Sequence, residues 1–183
     1  MLVHLRRSLI LTAIMIAICG LAYPLAGTGL SQMLFRHQAN GSITANGSTL
    51  IGQTWPGPKW FQGRPDGTVV TTGPEGVVIS GTNQPGPRSK ALETSVGRVA
   101  AKLKAEGIIS TADLVTTSGS LVDPDISPAG AYAQVNAVAT ANRLPSSQVN
   151  KLVSAHVHSR QFGFLGAPYV NVLELNVALS HLG

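Results

Sequence analysis

The sequence predicts an α+β protein with one N-terminal transmembrane helix followed by a single compact soluble domain. Three observations support this fold class: an uncharged apolar stretch near the N-terminus, a turn-rich middle with short β-prone runs, and helical periodicity in the second half. The predicted organisation is a short cytoplasmic N-terminus at residues 1–7, a transmembrane helix region at 8–35 and a soluble domain at 36–183.

The membrane region carries no charged side chain between Arg7 and Arg36. A helix that rises about 1.5 Å per residue needs roughly 20 apolar residues to cross a bilayer core. The stretch Leu9–Leu30 is long enough to do so. A cleaved secretory signal is the alternative, with Gly20-Leu21-Ala22 as its small-x-small cleavage site. The apolar run continues well past Ala22, which favours a permanent anchor.

The flanking charges predict the orientation. Arg6 and Arg7 precede the span, whereas only Arg36 follows it closely. Because cytoplasmic ends are enriched in Lys and Arg, the N-terminus is expected inside and the soluble domain outside the cytoplasm. The chain is then a single-pass protein of the cell (inner or plasma) membrane. Its one cysteine, Cys19, lies inside the span, so no disulfide joins the soluble domain.

Small residues in the span indicate an assembly surface, because they allow neighbouring membrane helices to approach closely. Pro24 is expected to kink the helix or to end its regular part. The preceding tyrosine suits the depth of the lipid headgroups. The predicted membrane-assembly residues are Gly20, Ala22, Tyr23, Pro24, Gly27 and Gly29.

The charge of the chain excludes a nucleic-acid footprint. The formal net charge is +5, and from Arg36 onward the chain holds 11 of its 13 basic residues against 8 acidic ones. No block of Lys and Arg interleaved with aromatic residues is present. A nucleic-acid partner is therefore not expected.

The middle of the chain is rich in turn residues from Asn40 to Pro87. Pairs such as Asn40-Gly41 and Asn46-Gly47 favour tight hairpin turns. Short β-prone runs lie between the turns, and each is predicted to form a strand. These runs are Ser48–Gln53, Thr68–Thr72 and Val77–Ile79.

Helical periodicity begins at Ser89 and continues to Glu106, with apolar residues at three- and four-residue steps and Gly107 as the stop signal. A strand-like run, Ile108–Thr116, follows. Ser127-Pro128 is an N-cap with proline at the first helical position, and it opens a helix over Ala129–Asn142.

Two elements complete the predicted domain. A further helix opens at Pro145-Ser146-Ser147-Gln148. The C-terminal element, Tyr169–Leu182, is expected to start as a strand and to continue as a helix. Helices therefore outnumber strands in the predicted domain.

The sequence offers few candidates for catalysis. It lacks a glycine-rich phosphate loop with Lys-Ser/Thr and lacks the Asp-Lys-Thr-Gly motif of a phosphorylated P-type ATPase. His156 and His158 are two residues apart, a spacing that places them on different faces of a helix, so a zinc site is not expected. Asp123 and Asp125 lie in a turn before a helix, where Asp usually binds nearby backbone amides.

One loop is a weak candidate for binding an anionic cofactor. Its backbone N–H groups can form an anion-holding nest, although a plain loop is the simpler interpretation. The candidate residues are Thr117, Ser118, Gly119 and Ser120. A hydrolase that uses Ser118 or Ser120 with His156 as base is an alternative, but the Gly-x-Ser-x-Gly elbow is missing.

A series of short motifs resembles the KdpC family, the C subunits of the Kdp-type, ATP-driven potassium-transporting complex. The motifs occur in the family's order along nearly the whole chain: Tyr23-Pro24, Gln38–Ser42, Leu50–Gln53, Trp60–Pro65, Ser80–Asn83, Leu114–Ser120, Asp123–Pro128, Gln134-Val135, Leu165-Gly166, Val170–Leu173 and Leu175-Asn176. One N-terminal span and a domain of this size are also the family's layout.

The resemblance implies a non-catalytic subunit. In this family a channel-like subunit binds and selects potassium, and a P-type ATPase subunit hydrolyses ATP. Both are expected partners of this chain. The C subunit is expected to stabilise the assembly and to support ATP binding, so ATP is implied as cofactor through the catalytic subunit. Potassium is the implied transported ion, and no site for it is found in this chain. A binding module with no transport role, secreted or anchored, is the alternative.

Several positions depart from the family pattern. The family usually has His where this chain has Asp125, and Ser where it has Pro145, so Ser146 is expected to cap that helix one residue late. The other departures are Leu121-Val122, Asn136-Ala137 and the run Gly63–Gly67.

Overall fold

The computed structural model describes residues 2–66 and 85–182. The chain divides into two compact units, Met1–Ile43 and Thr44–Gly183. The predicted strands at Thr68–Thr72 and Val77–Ile79 lie outside the described residues, as does the motif Ser80–Asn83. Within the described ranges the chain combines helices with four two-residue strands, which confirms the predicted α+β class.

The first unit contains one long helix, Leu2–Leu34, which is apolar and long enough to cross a membrane. It consists of α1 (Leu2–Met15), a π-helical segment (Ile16–Ala22) and α2 (Tyr23–Leu34), and a short helix α3 (Arg36–Ala39) follows. Its described side chains are exposed along the whole length. The helix is therefore a candidate membrane span.

The π-helical segment explains how the helix accommodates Pro24. Proline has no N–H to donate, and its ring crowds the carbonyl four residues earlier, here that of Gly20. In the π-helical segment hydrogen bonds reach five residues back, as in the bond from the Tyr23 N–H to the Ile18 carbonyl. The helix thus continues past Pro24, and the expected irregularity precedes the proline.

The turn-rich region forms less sheet than the sequence predicts. Strands β1 (Ile43–Thr44) and β2 (Gly47–Ser48) pair around a tight turn at Ala45-Asn46, one residue before the predicted Asn46-Gly47 position, because Gly47 is already the first residue of β2. The rest of the predicted strand Ser48–Gln53 is not extended, and this prediction is wrong. The Gly52 N–H instead donates to the Val122 carbonyl at 2.7 Å, which fixes residues 49–53 as a loop against residues 121–123.

The first predicted helix of the soluble domain is confirmed as α4 (Lys90–Ala105). The Ser89 hydroxyl caps it by accepting from the Leu92 N–H, and Gly107, at φ +70°, follows its end. The strand predicted at Ile108–Thr116 is wrong: residues Ala112–Val115 form a short helix, α5. Asp113 explains this difference. Its buried carboxylate accepts a hydrogen bond from the Ser127 N–H, which holds the segment against the start of the next helix.

Helix α6 (Pro128–Asn142) begins at the predicted cap, where the Ser127 hydroxyl accepts from the Gly130 N–H at 3.0 Å. Helix α7 (Ser146–Ala155) has Pro145 at its N-cap position without a side-chain hydrogen bond. The expectation that Ser146 caps this helix is therefore wrong, because Ser146 is already its first residue.

The C-terminal element is confirmed as a strand followed by a helix. Strand β4 (Val170–Asn171) pairs antiparallel with β3 (Asp125–Ile126), and helix α8 (Val172–Ser180) follows directly. The Asn171 side chain caps α8 by accepting from the Glu174 N–H. Helices α6, α7 and α8 and the Phe61 side chain supply most of the buried apolar core.

Candidate functional site

The predicted anion-holding loop holds a carboxylate of the chain itself. Asp66 accepts hydrogen bonds from the Ser118 backbone N–H and from the Ser118 hydroxyl, each at 2.5 Å. It also accepts from the Asp123 N–H at 3.2 Å. Backbone N–H and hydroxyl donors that converge on one carboxylate are typical of an anion site. The loop can therefore bind an anion, and in this structure the anion is Asp66.

The remaining candidate residues of this loop differ in exposure. Ser118 is buried, Thr117 is half-buried, and Gly119 and Ser120 are exposed. The Ser120 hydroxyl lies 3.4 Å from that of Ser118 and accepts from the Val122 N–H. A phosphate that bound at Ser118 would have to displace Asp66. The assignment of these four residues to cofactor binding stays a prediction.

Arg64 lies beside this carboxylate. Its guanidinium pairs with the Asp123 carboxylate at 3.7 Å, and Asp123 also accepts from the Asp125 N–H at 3.0 Å. The Nε atom of Arg64 is buried and has no hydrogen-bond partner among residues 2–66 and 85–182. Arg64, Asp66 and Asp123 thus join the segment before residue 67 to the loop that leads into β3.

A cleft of about 540 Å³ opens at this junction. Leu103 and Leu114 are among its apolar side chains, and the charged residues in its wall, among those described, are Arg64, Asp66, Lys102, Glu106 and Asp123. Small-molecule sites commonly have volumes of about 300–1,000 Å³ and a mainly apolar wall with a few polar groups. The size and the lining of the cleft fall in this range.

Two buried amide side chains hold the segment that leads to Asp66. Asn176 accepts from the Phe61 N–H and donates to the Phe61 carbonyl, both at 2.9 Å. Gln134 accepts from the Gln62 N–H at 2.8 Å and donates to the Gln62 carbonyl at 3.1 Å. Each amide replaces the pair of backbone bonds that a neighbouring strand would supply. We call this pair the amide clamps.

No sequence motif predicts a role for the amide clamps, although both lie in motifs that resemble the KdpC family. A buried Gln and a buried Asn in apolar helices are uncommon, and burial without a partner is costly. The periodicity of α6 and α8 places Gln134 and Asn176 on their buried faces. That pattern was the available signal, but it does not identify the backbone groups that the two amides bind.

Asp125, one of the departures from the family pattern, pairs with Asn171. The Asn171 amide donates to the Asp125 carboxylate and to the Thr49 carbonyl, each at 2.9 Å. Burial raises the pKa of Asp125 above its ordinary value; the Asn171 hydrogen bond opposes this shift, and the nearby Asp123 charge adds to it. The carboxyl of Asp125 is therefore protonated more readily than the carboxyl of an exposed Asp.

Asp113 shows the opposite shift. Burial alone would raise its pKa, but hydrogen bonds from Thr111 and Ser127 stabilise the charged form and hold the pKa below the ordinary value. The Thr111 hydroxyl donates at 2.5 Å and the Ser127 N–H at 2.6 Å. The carboxylate lies at the start of α6, where negative charge also complements the helix dipole. Its role is to fix α5 against α6.

The structure gives the hydrolase candidates other partners. The Ser118 hydroxyl binds Asp66, and a ring nitrogen of His156 lies 2.9 Å from the Leu152 carbonyl. The other histidine of the pair, His158, contacts Glu174 at 3.2 Å and stacks on Tyr169. The described residues include no group of three or more His, Cys, Asp or Glu side chains that could hold a metal ion.

The predicted membrane-assembly residues all lie on the long helix of the first unit. Gly20 and Ala22 fall in the π-helical segment, and Tyr23, Pro24, Gly27 and Gly29 fall in α2. A Cβ atom added at Gly27 or Gly29 would meet no atom of the described residues within 4 Å. Their use in assembly stays a prediction.

Comparison with known proteins identifies the family. A family model named KdpC, described as K+-transporting ATPase, c chain, matches residues 5–181. The chain belongs to the KdpC family. The match covers the candidate span and the soluble domain, so the chain is a subunit of the K+-transporting ATPase, and membership implies partner subunits.

Individual KdpC proteins are similar over almost their whole length. The chain is 45% identical to the potassium-transporting ATPase KdpC subunit of Rhodopseudomonas palustris, over 98% of this chain and 97% of that protein. It is 44% identical to the KdpC subunit of Bradyrhizobium diazoefficiens, with the same coverage. It is 43% identical to that of Methylobacterium nodulans, over 100% of this chain and 98% of that protein. The predicted resemblance is confirmed.

Proposed function

We propose that this KdpC chain is a non-catalytic accessory subunit of a high-affinity, ATP-driven potassium uptake complex. It stabilises the assembly and supports ATP binding by the catalytic ATPase subunit. The observation that carries the proposal is the family match across residues 5–181, which includes both the candidate span and the soluble domain.

The proposed partners are a channel-like subunit that binds potassium and a P-type ATPase subunit. The candidate span would pack against partner helices through Gly20, Ala22, Tyr23, Pro24, Gly27 and Gly29. The small size of these glycine and alanine residues supports this role, because small residues allow neighbouring membrane helices to approach closely. Potassium and ATP are then handled by the partner subunits.

The proposed topology places residues 1–7 in the cytoplasm, 8–35 in the membrane and 36–183 outside the cytoplasm. Arg6 and Arg7 before the span support this orientation. The soluble domain would then lie on the side opposite to cytoplasmic ATP, and its effect on ATP binding would be indirect, through subunit packing. A protease-sensitive tag placed after Gly183 tests the topology: cleavage in intact spheroplasts is expected, and protection of the tag until lysis would contradict it.

The effect on ATP binding is tested with the complex in nanodiscs, purified with and without this chain. We expect the chain-free preparation to need a higher ATP concentration for half-maximal hydrolysis and to lose partner subunits sooner on warming. Restoring the chain should reverse both changes. An unchanged ATP dependence together with an unchanged lifetime of the assembly would contradict the proposed function.

A further inference from the structure

An aromatic hairpin tip projects from the soluble domain between α7 and β4. We define the aromatic tip as residues 161–165, Gln-Phe-Gly-Phe-Leu. Gln161 and Leu165 exchange two backbone hydrogen bonds of 2.9 Å, and His158 and Tyr169 exchange another pair closer to the base. The His158 and Tyr169 rings stack with centroids 4.7 Å apart. The tip is thus held on an ordered base.

The aromatic tip exposes large apolar side chains. Phe162 is 81% exposed, Phe164 70% and Leu165 47%. None of the three belongs to the buried core. Three such residues side by side form a contiguous apolar surface, which in soluble domains typically marks an interaction site.

The backbone of the aromatic tip is also unusual. Phe162 and Gly163 have φ values of +53° and +83°, as in a type I′ turn, whose central positions favour Asn, Asp and Gly. A bulky aromatic residue at positive φ is an outlier. The exposure of the Phe162 ring and the positive φ of the Phe162 backbone therefore both lower the stability of the isolated chain. Such a combination points to a role in recognition.

The charge around the aromatic tip indicates the nature of its partner. Arg160 is the charged residue nearest the aromatic tip in the sequence, and at the base of the hairpin Glu174 contacts His158 at 3.2 Å. Arg160 is exposed and directly precedes the tip. A surface with apolar side chains and one adjacent guanidinium is complementary to an apolar pocket with a carboxylate on its rim.

We propose that the aromatic tip inserts into an apolar, acid-rimmed pocket on a partner protein subunit of the transporter. The inference rests on the proposed function, in which this chain assembles with partner subunits. A protein pocket fits better than a lipid surface for two reasons. Insertion into lipid needs no particular turn geometry, and membrane interfaces favour Trp and Tyr together with clusters of cations, whereas this tip has Phe and a single Arg.

The substitution Phe162→Asn separates docking from folding. Asn is a preferred residue for this turn position, so the urea midpoint of the full-length chain should be unchanged or raised. The partner complex is purified through a tag on its ATPase subunit, and retention of this chain is measured in a dilution series. We expect Phe162→Asn to weaken retention roughly tenfold or more, as loss of a buried aromatic anchor does. Phe162→Tyr, which keeps the ring, should restore most of it.

Ile109→Asn is the matched control, because Ile109 is 75% exposed and lies outside the aromatic tip. Equal retention of wild type and Phe162→Asn overturns the inference while leaving the proposed function intact. An equal loss in Ile109→Asn also overturns it. Failure of the wild-type chain to be retained at all would instead contradict the proposed function.

Photocrosslinking distinguishes a protein pocket from lipid. Replacing Phe162 by p-benzoylphenylalanine in the assembled complex in nanodiscs is expected to give an adduct with a partner polypeptide. The crosslinked peptide should lie near an Asp or Glu residue. An adduct with lipid alone would overturn the proposal.

Discussion

The carboxylate of Asp66 accepts hydrogen bonds from both the backbone N–H and the hydroxyl of Ser118, so one side chain satisfies two donors of the same residue. The loop at residues 117–120, which the sequence predicts to bind an external anion, therefore forms hydrogen bonds within the chain. It links the segment that ends at residue 66 to the loop before β3, at the wall of the cleft.

Loss of this connection should destabilise the soluble domain. We expect Ser118→Ala to lower the free energy of unfolding by about 1–3 kcal/mol, because a carboxylate loses a charge-assisted bond. Urea unfolding of the full-length chain in detergent, followed by tryptophan fluorescence, measures the change. Ser147→Ala, at an exposed position of α7, is the control and should stay within about 0.5 kcal/mol. Equal effects of the two substitutions would contradict the assignment.

The amide clamp at Asn176 should be among the most sensitive positions. Asn176→Ala leaves the N–H and the carbonyl of Phe61 buried without their partner. The expected loss is roughly 2–5 kcal/mol, since each unsatisfied buried group costs about 1–3 kcal/mol. Asn136→Ala, on the exposed face of α6, should change stability by less than about 0.5 kcal/mol. A mild effect at Asn176, no larger than at Asn136, would show that the clamp is dispensable.

Replacing glycine by alanine in a helix or strand usually raises the free energy of unfolding. At Gly52 close packing predicts that the same replacement lowers it. A Cβ atom there would lie 2.7 Å from the Asp123 carbonyl oxygen, so Gly52→Ala must move a backbone and should cost about 1–3 kcal/mol. Gly97 lies in α4, and a Cβ atom added there would have no neighbour within 4 Å in the part of the chain that the structure describes. Gly97→Ala should therefore stabilise the helix by about 0.5–1 kcal/mol. Thermal unfolding of the two variants in parallel checks both signs.

Asp113 should stabilise the domain at neutral pH. Its folded-state pKa is lowered, so its contribution is present above the ordinary value of 3.8 and is lost as the pH falls through the folded pKa. Asp113→Asn should accordingly be less stable than wild type at pH 7, and the difference should shrink as the solution is acidified. Urea midpoints at a series of pH values measure this. A difference that is independent of pH would indicate a purely steric effect.

The contribution of Asp125 to stability should depend on pH in the opposite direction. Its folded-state pKa is raised, so the contribution of the protonated form is fully present below 3.8 and is lost as the pH rises through the folded pKa. Asp125→Asn keeps an oxygen for the Asn171 amide and removes the buried charge. We expect this variant to be at least as stable as wild type at pH 7 and to lose its relative advantage in acid. Lower stability at pH 7 would contradict the sign of the shift.

The helices of the soluble domain could be predicted because local signals agreed with the fold. Ser89 and Ser127 cap the helices that they precede, and Gly107 ends α4. The strands could not be predicted as well. Residues 49–53 have β propensity, but the Gly52 N–H bonds to the distant Val122 carbonyl, so tertiary contacts outweigh local preference.

The candidate site was predictable only in part for the same reason. The composition of residues 117–120 indicates an anion-holding loop, but no local pattern shows that Asp66, 52 residues earlier, supplies the anion. The amide clamps are similar, since periodicity shows that Gln134 and Asn176 are buried without showing what they bind. Partners far apart in the chain are set by the packing of the whole domain.

The Asn176 clamp also has a consequence for the order of events during synthesis. The partner of Phe61 lies 115 residues further along the chain, in the last helix. The Phe61 backbone therefore lacks this partner until residue 176 has left the ribosome. A nascent chain can be anchored through its first residues long before its soluble domain is complete. A nonsense mutation that removes α8 would then leave a protein that is still membrane-bound but has no folded domain to offer its partners.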